Sequence, residues 1–182
     1  MGLGGDKSPE YEKAWQVVET AGRVGLLGRE TLAIFEAATE SVERGELGLS
    51  TFIKGIENVF NQIGIDPLPG LATRARCEVV LRRTTELVQR GNQSVAILLD
   101  LDNFKTLNDS EGHLGGDQGL REVGQALSKH IRLGDVASRT GGDEFLIILN
   151  NIDGETHKIK EEVESVFDRI NESVGAIRVG EF

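Results

Sequence analysis

With a single cysteine, Cys77, the chain has no internal disulfide and no cysteine-rich zinc site. The three histidines, His113, His130 and His157, are scattered without the spacing of a metal site. No run approaches the ~18 apolar residues that suggest a membrane helix. The opening MGLGGDKSPEYEK lacks the basic-then-apolar order of a secretion signal. Its Met-Gly start does not complete a myristoylation motif either, because Asp6 stands where Ser or Thr is wanted. Basic residues are few: 20 Lys and Arg against 30 Asp and Glu leave a formal charge of -10. That balance argues against a nucleic-acid polymer as partner, since its binders display a basic stripe. A small phosphate compound remains compatible with it, provided a cation or local Lys and Arg offset the charge. P-loop and Gly-x-Gly-x-x-Gly patterns are missing too. The expectation is a soluble, cytoplasmic protein with no membrane association.

What is present divides in two. The 182 residues suit one domain plus an appendage, and 38% apolar content is enough to fill a core. Residues 1–65 read as helices alone. Ser8-Pro9 opens the first, with Trp15 and Val18 on one face. Leu32, Phe35, Ala38 and Val42 pattern a second from Arg29 to Arg44. Ser50 is expected to cap a third, striped by Phe52, Ile53, Ile56, Val59, Phe60 and Ile63. Such a module suits regulation or dimerisation, or equally a helical cap on the main domain. GIDPLPGLATR (64–74) is the boundary, punctuated by Gly and Pro, and residues 66–182 form the second unit.

In that unit a helix is expected from Arg74 to Gln89, then a strand at 94–99, SVAILL, whose unbroken apolar run predicts burial on both faces. NFKTLND reads as a short helical turn, SEGHLGGD as a loop and Gly116 to His130 as a helix. Residues 136–149 read as two strands joined at Gly141-Gly142, since glycines accept the positive φ of a tight turn. A charged helix from Thr156 to Asn171 and a last strand in SVGAIRV complete the pattern. The fold class is α/β, an α+β sandwich with a central mixed sheet flanked by helices.

Two groups of acids stand at strand ends. Asp100 and Asp102 follow the 94–99 strand, and carboxyl ends of strands are where ligands settle in α/β folds. Asp102 alternatively caps the following helix. Lys105 close behind suits a phosphate. Asp143 and Glu144 follow the paired glycines, either as an exposed polar turn or, taken with Asp100, as oxygen ligands for Mg²⁺ in phosphoryl chemistry. Arg132 and Asp135, in RLGD, read on residue types alone as a local ion pair. His113 reads as a loop-structuring residue, and neither Ser50, Ser138 nor Cys77 has the neighbours of a nucleophile.

DLDNFKTLND, GHLGGD, RLGD and RTGGDEF occur in this order, and together they resemble the GGDEF family of diguanylate cyclases from about Asp66 to Ala176. The resemblance implies a cyclase-like GGDEF fold that joins two GTP into cyclic di-GMP with release of two pyrophosphates, as a homodimer whose domains face each other. It implies Mg²⁺ (or Mn²⁺) held by Asp100, the Leu101 carbonyl, Asp143 and Glu144, with Glu144 helping to deprotonate the 3′-hydroxyl. Asn103, Phe104 and Lys105 would hold phosphates, Asn108 and Asp117 would bind guanine, and Gly141 and Gly142 would let the turn close on the nucleotide. Arg132 and Asp135 would form the site through which cyclic di-GMP inhibits. Two features depart from the family pattern. Pro69 and Thr73 replace the usual Thr and Asn of the domain entrance, and the stretch after Ala176 lacks the usual helix and strand that bring Lys and Arg to the triphosphate. The alternative is a catalytically impaired domain acting as a GTP or cyclic di-GMP receptor, or as a scaffold.

Overall fold

The computed structural model describes residues 8–152 and 156–177. Helix α1 (Pro9–Arg23) opens at Ser8, whose hydroxyl accepts from the Tyr11 amide at 3.3 Å, with Pro9 in the first turn where a missing N–H costs nothing. Helix α2 (Arg29–Glu43) buries Phe35 edge-on against Phe60 of α3 (Leu49–Ile63), their ring centroids 6.1 Å apart. Tyr11 stacks on Phe52 at 6.2 Å. With Val17, Val18, Ala21 and Ile56 these rings make an apolar cluster of their own. Gly48, not Ser50, caps α3. Ser50 falls inside the first turn, where the helix has already begun, and no side chain bonds the cap.

The joint after α3 is tightly held. Gly64 ends the helix at φ +72°, and Asp66 folds the next residues by accepting from the Leu68 amide at 2.9 Å. A Cβ on Gly70 would lie 2.7 Å from the Val17 carbonyl oxygen of α1. On the other side, a Cβ on Gly124 would lie 2.2 Å from the Pro69 carbonyl oxygen. Strand β1 (Ala72–Thr73) follows, and Thr73 caps α4 (Arg74–Gln89) by accepting from the Arg76 amide at 3.4 Å. The threonine at this departure from the family pattern therefore does a capping residue's work.

Strand β2 (Val95–Asp100), helix α5 (Phe104–His130), strands β3 (Val136–Gly141) and β4 (Glu144–Leu149) and helix α6 (Thr156–Gly175) complete the described chain. The sheet runs β1-β3-β4-β2, parallel between β1 and β3 and antiparallel elsewhere. Phe145, Ile147 and Leu149 point to one face, into a core with Leu120, Val123 and Leu127 of α5 and Val166 and Ile170 of α6. Helix α4 packs against β3, with Cys77 beside Ser138.

Three expectations are corrected. Strand β2 lies at the sheet's edge and is not buried on both faces: Ala96, Leu98 and Asp100 alternate outward, and Leu98 is 78% exposed. SEGHLGGD is not a loop. It belongs to α5, which bends at Gly112 (φ 72°, ψ 178°) and continues. Finally, Ser173, Val174 and Gly175 end α6 and begin no strand, while residues 178–179 of SVGAIRV lie outside the described residues. No helix among the described residues is long and apolar enough to cross a membrane.

Candidate active site

The hairpin between β3 and β4 places the acids. The ladder sets Asp100, the last residue of β2, directly opposite Glu144, the first of β4. A register shift between Arg139 and Gly141 pushes Thr140 out of the pairing, so the turn closes over two residues, Gly142 and Asp143. Gly142 adopts φ +50°, whereas Gly141 needs no positive φ. Asp100 and Glu144 are exposed and Asp143 is half-buried, while Phe145 is fully buried and anchors the turn in the core. Arg139 fixes the turn from below. Its Nε donates to the Gly142 carbonyl at 2.7 Å and its Nη1 to Asp66 Oδ2 at 3.3 Å, so the turn is tied to the joint.

The start of α5 faces the same strand end. Asn103 enters the helix in the left-handed conformation (φ 60°, ψ 21°), and no side chain caps the first amides. Asp102 is therefore not the cap, because the helix starts one residue too late for it. Phe104 packs on the core and Lys105 is exposed. Asn108 donates to the Phe104 carbonyl at 3.3 Å, and a Cβ on Gly116 would lie 2.0 Å from its Oδ1. The bend at Gly112 thus folds α5 so that Asn108 rests against the residue before Asp117. Both residues are half-buried. His113 is an exposed helical residue just past the bend, and no loop surrounds it. A cavity of about 490 Å³ opens beside Asp100, Leu101, Asp102 and Phe104, closed on its far side by Phe167 and Val174 of α6.

Among the described residues no three acidic, histidine or cysteine side chains gather as a preassembled metal cluster. The donors expected from the sequence, the carboxylates of Asp100, Asp143 and Glu144 and the Leu101 carbonyl, would make an all-oxygen set. This chemistry fits Mg²⁺, which keeps several waters and is typically held by one or two carboxylates together with substrate phosphates.

Arg132 and Asp135 lie elsewhere, between the end of α5 and β3. Asp135 is 5% exposed, and both its oxygens are occupied: Oδ2 accepts from the Arg132 amide at 3.1 Å and Oδ1 from the Asn150 amide at 3.0 Å. Arg132 Nη2 donates to the carbonyls of Asn150 and Asn151 at 2.9 and 3.0 Å, and Nη1 reaches Glu162 Oε1 of α6 at 3.4 Å. Arg132, Asp135, Glu162, Ser165, Arg169 and His130 surround a cavity of about 150 Å³. Burial first, then Arg169 and Lys129, hold the His130 imidazole below its ordinary value, and Glu172 opposes them.

Residues 63–178 match the family of the diguanylate cyclase GGDEF domain. The chain belongs to that family. Diguanylate cyclase DgcS of Shewanella oneidensis is 45% identical over 89 residues, covering 48% of this chain and 30% of that protein. The chain thus spans less than a third of this curated relative's length. Diguanylate cyclase SiaD of Pseudomonas aeruginosa, solved with its activator SiaC, superposes with a TM-score of 0.57 at 29% identity, over 83% of this chain and 60% of that one. The coiled coil and GGDEF domain of DgcB from Caulobacter crescentus, solved in complex with c-di-GMP, gives 0.52 at 27% identity, over 74% and 66%.

Within this GGDEF domain, the sequence patterns missed Asp66, Arg139 and Glu162. Asp66 and Arg139 are 73 positions apart, and Glu162 is one acid among many on a charged helix, so no local signal marked them. Cys77 is buried, and burial raises its thiol pKa, the opposite of a reactive nucleophile.

Proposed function

We propose that this chain is a diguanylate cyclase that condenses two GTP into cyclic di-GMP. The observation that carries the reading is the pairing of Asp100 with Glu144 across β2 and β4, beside the Gly141–Asp143 turn. Each domain holds one GTP, and two chains face each other as a homodimer. The 3′-hydroxyl of one nucleotide attacks the α-phosphorus of the other; an O–P bond forms, the bond to the β-phosphate oxygen breaks, and pyrophosphate leaves. Glu144 accepts the hydroxyl proton. Mg²⁺ (or Mn²⁺), held by Asp100, the Leu101 carbonyl, Asp143 and Glu144, supplies charge neutralisation at the phosphates. The amides of Asn103 and Phe104, with Lys105, hold the phosphates at a helix start that no side chain caps. Asn108 and Asp117 bind the guanine edge, and Asp117 accepts from N–H groups that adenine does not offer in that arrangement. Arg132 and Asp135 form the inhibitory site for cyclic di-GMP. The helices of residues 1–65 bring the two domains together, ahead of the catalytic unit of 66–182.

A Cβ on Gly141 would meet nothing within 4 Å, so packing among the described residues leaves room there for a nucleotide to approach.

The test is product formation from GTP and Mg²⁺ by purified protein. Cyclic di-GMP from the parent and none from Asp143→Asn is the expected result. Failure of the parent to make any product would overturn the cyclase reading. A second reading, a receptor or scaffold without turnover, draws on the outer face of β2, where, among the described residues, Leu98 is 78% exposed beside the site. Nucleotide binding without product would favour the receptor, and no binding at all the scaffold.

A further inference from the structure

We propose that Glu162 is an internal competitor for Arg132, seated where an anionic ligand would bind, and that it sets the affinity of the inhibitory site for cyclic di-GMP. This rests on the reading of Arg132 as part of that site. The two residues of the motif are not equivalent here. Asp135 is buried, and each of its oxygens already accepts a backbone amide, so its first role is to position the turn between α5 and β3. Arg132 is about half exposed, with its Nη2 committed to the Asn150 and Asn151 carbonyls. Its Nη1 lies 3.4 Å from Glu162 Oε1, and both residues line the 150 Å³ cavity.

The character of that contact makes it displaceable. Both side chains are largely solvated, at 53% and 42% exposure, and the N–O distance is 3.4 Å. Exposed ion pairs of this kind contribute little, because solvent screens them. A cyclic dinucleotide carries two phosphodiester charges and can take over Arg132, with Arg169 and Ser165 lining the same cavity. For the phosphate to enter, Glu162 must swing away, and its negative charge then remains next to an anion. Both effects weaken binding, and both vanish when the carboxylate becomes an amide.

The experiment is a calorimetric titration of the full chain with cyclic di-GMP at fixed ionic strength, for the parent, Glu162→Gln, Arg132→Ala and the double variant. Glu162→Gln should tighten binding by about threefold to tenfold. Arg132→Ala should weaken it at least tenfold, and in the Arg132→Ala background Glu162→Gln should change little, because the competitor has lost its arginine. If Arg132→Ala weakens binding but Glu162→Gln leaves it unchanged or weaker, the site stands and the competitor is overturned. Equal tightening in both backgrounds also overturns it, since general charge alone would then suffice. Should Arg132→Ala bind like the parent, or no variant bind at all, the inhibitory-site reading falls and takes the competitor with it.

Discussion

Gly116 lies under Asn108, where a methyl group would meet Oδ1 at 2.0 Å and the end of that side chain would have to turn aside. Gly116→Ala should therefore cost little stability, because a flexible side-chain end can give way. Its effect should instead appear in calorimetric titration as weaker GTP binding, since Asn108 is displaced. Gly141 differs, since its missing side chain faces open space. Gly141→Ala should leave stability within ~0.5 kcal/mol and lower cyclic di-GMP formation by about tenfold or more. A drop in both stability and rate would place the need for glycine in the fold and not in the nucleotide. His130 offers a pH test. Its pKa in the folded chain lies below the ordinary 6.5, because burial and the cations Arg169 and Lys129 disfavour the charged ring. As pH falls, the unfolded chain takes up this proton first, so His130 contributes stability above its unfolded value that is lost as pH falls through the folded one. Melting followed from pH 7 to pH 5 should show a smaller loss for His130→Gln than for the parent.

At the scale of elements, much of the fold was legible. Helix α4 runs from Arg74 to Gln89 as its pattern predicts, and the hairpin turns at Gly142 and Asp143, one residue on from the expected glycine pair. These elements carry their own signals, a capping threonine in one case and two glycines between apolar runs in the other. Both ends of helix α5 were legible, as a helical turn at NFKTLND and a helix from Gly116 to His130, but the stretch between them was not, because Gly112, Gly115 and Gly116 in a short span read as a loop on propensity. Packing supports the helix there: the Asn108 side chain lies against Gly116, and a larger residue would have to push it aside. The exposed face of β2 was missed for a different reason, since an apolar run records which residues a strand carries and not what lies against it. The site acids were legible as strand ends. The Asp66–Arg139 bridge beneath them was not, because only the folded sheet brings the two together.

At the scale of the whole molecule, the proposed reaction needs two chains, each carrying one nucleotide. Cyclic di-GMP formed per chain should thus rise with protein concentration and level off once dimers saturate. Measured turnover that stays constant upon dilution to nanomolar protein would mean that the chains do not need each other or never part. With a net charge of -10 on each copy, moderate salt should favour the association by screening repulsion.

The GIDPLPG stretch looks on paper like a flexible elbow, rich in glycine and proline. In the fold it is wedged, with Gly70 against the backbone of α1 and Pro69 against Gly124 of α5, while Asp66 grips the arginine that braces the β3–β4 turn. Packing this close transmits strain, so a rotation imposed on α1 should be felt at the turn between β3 and β4.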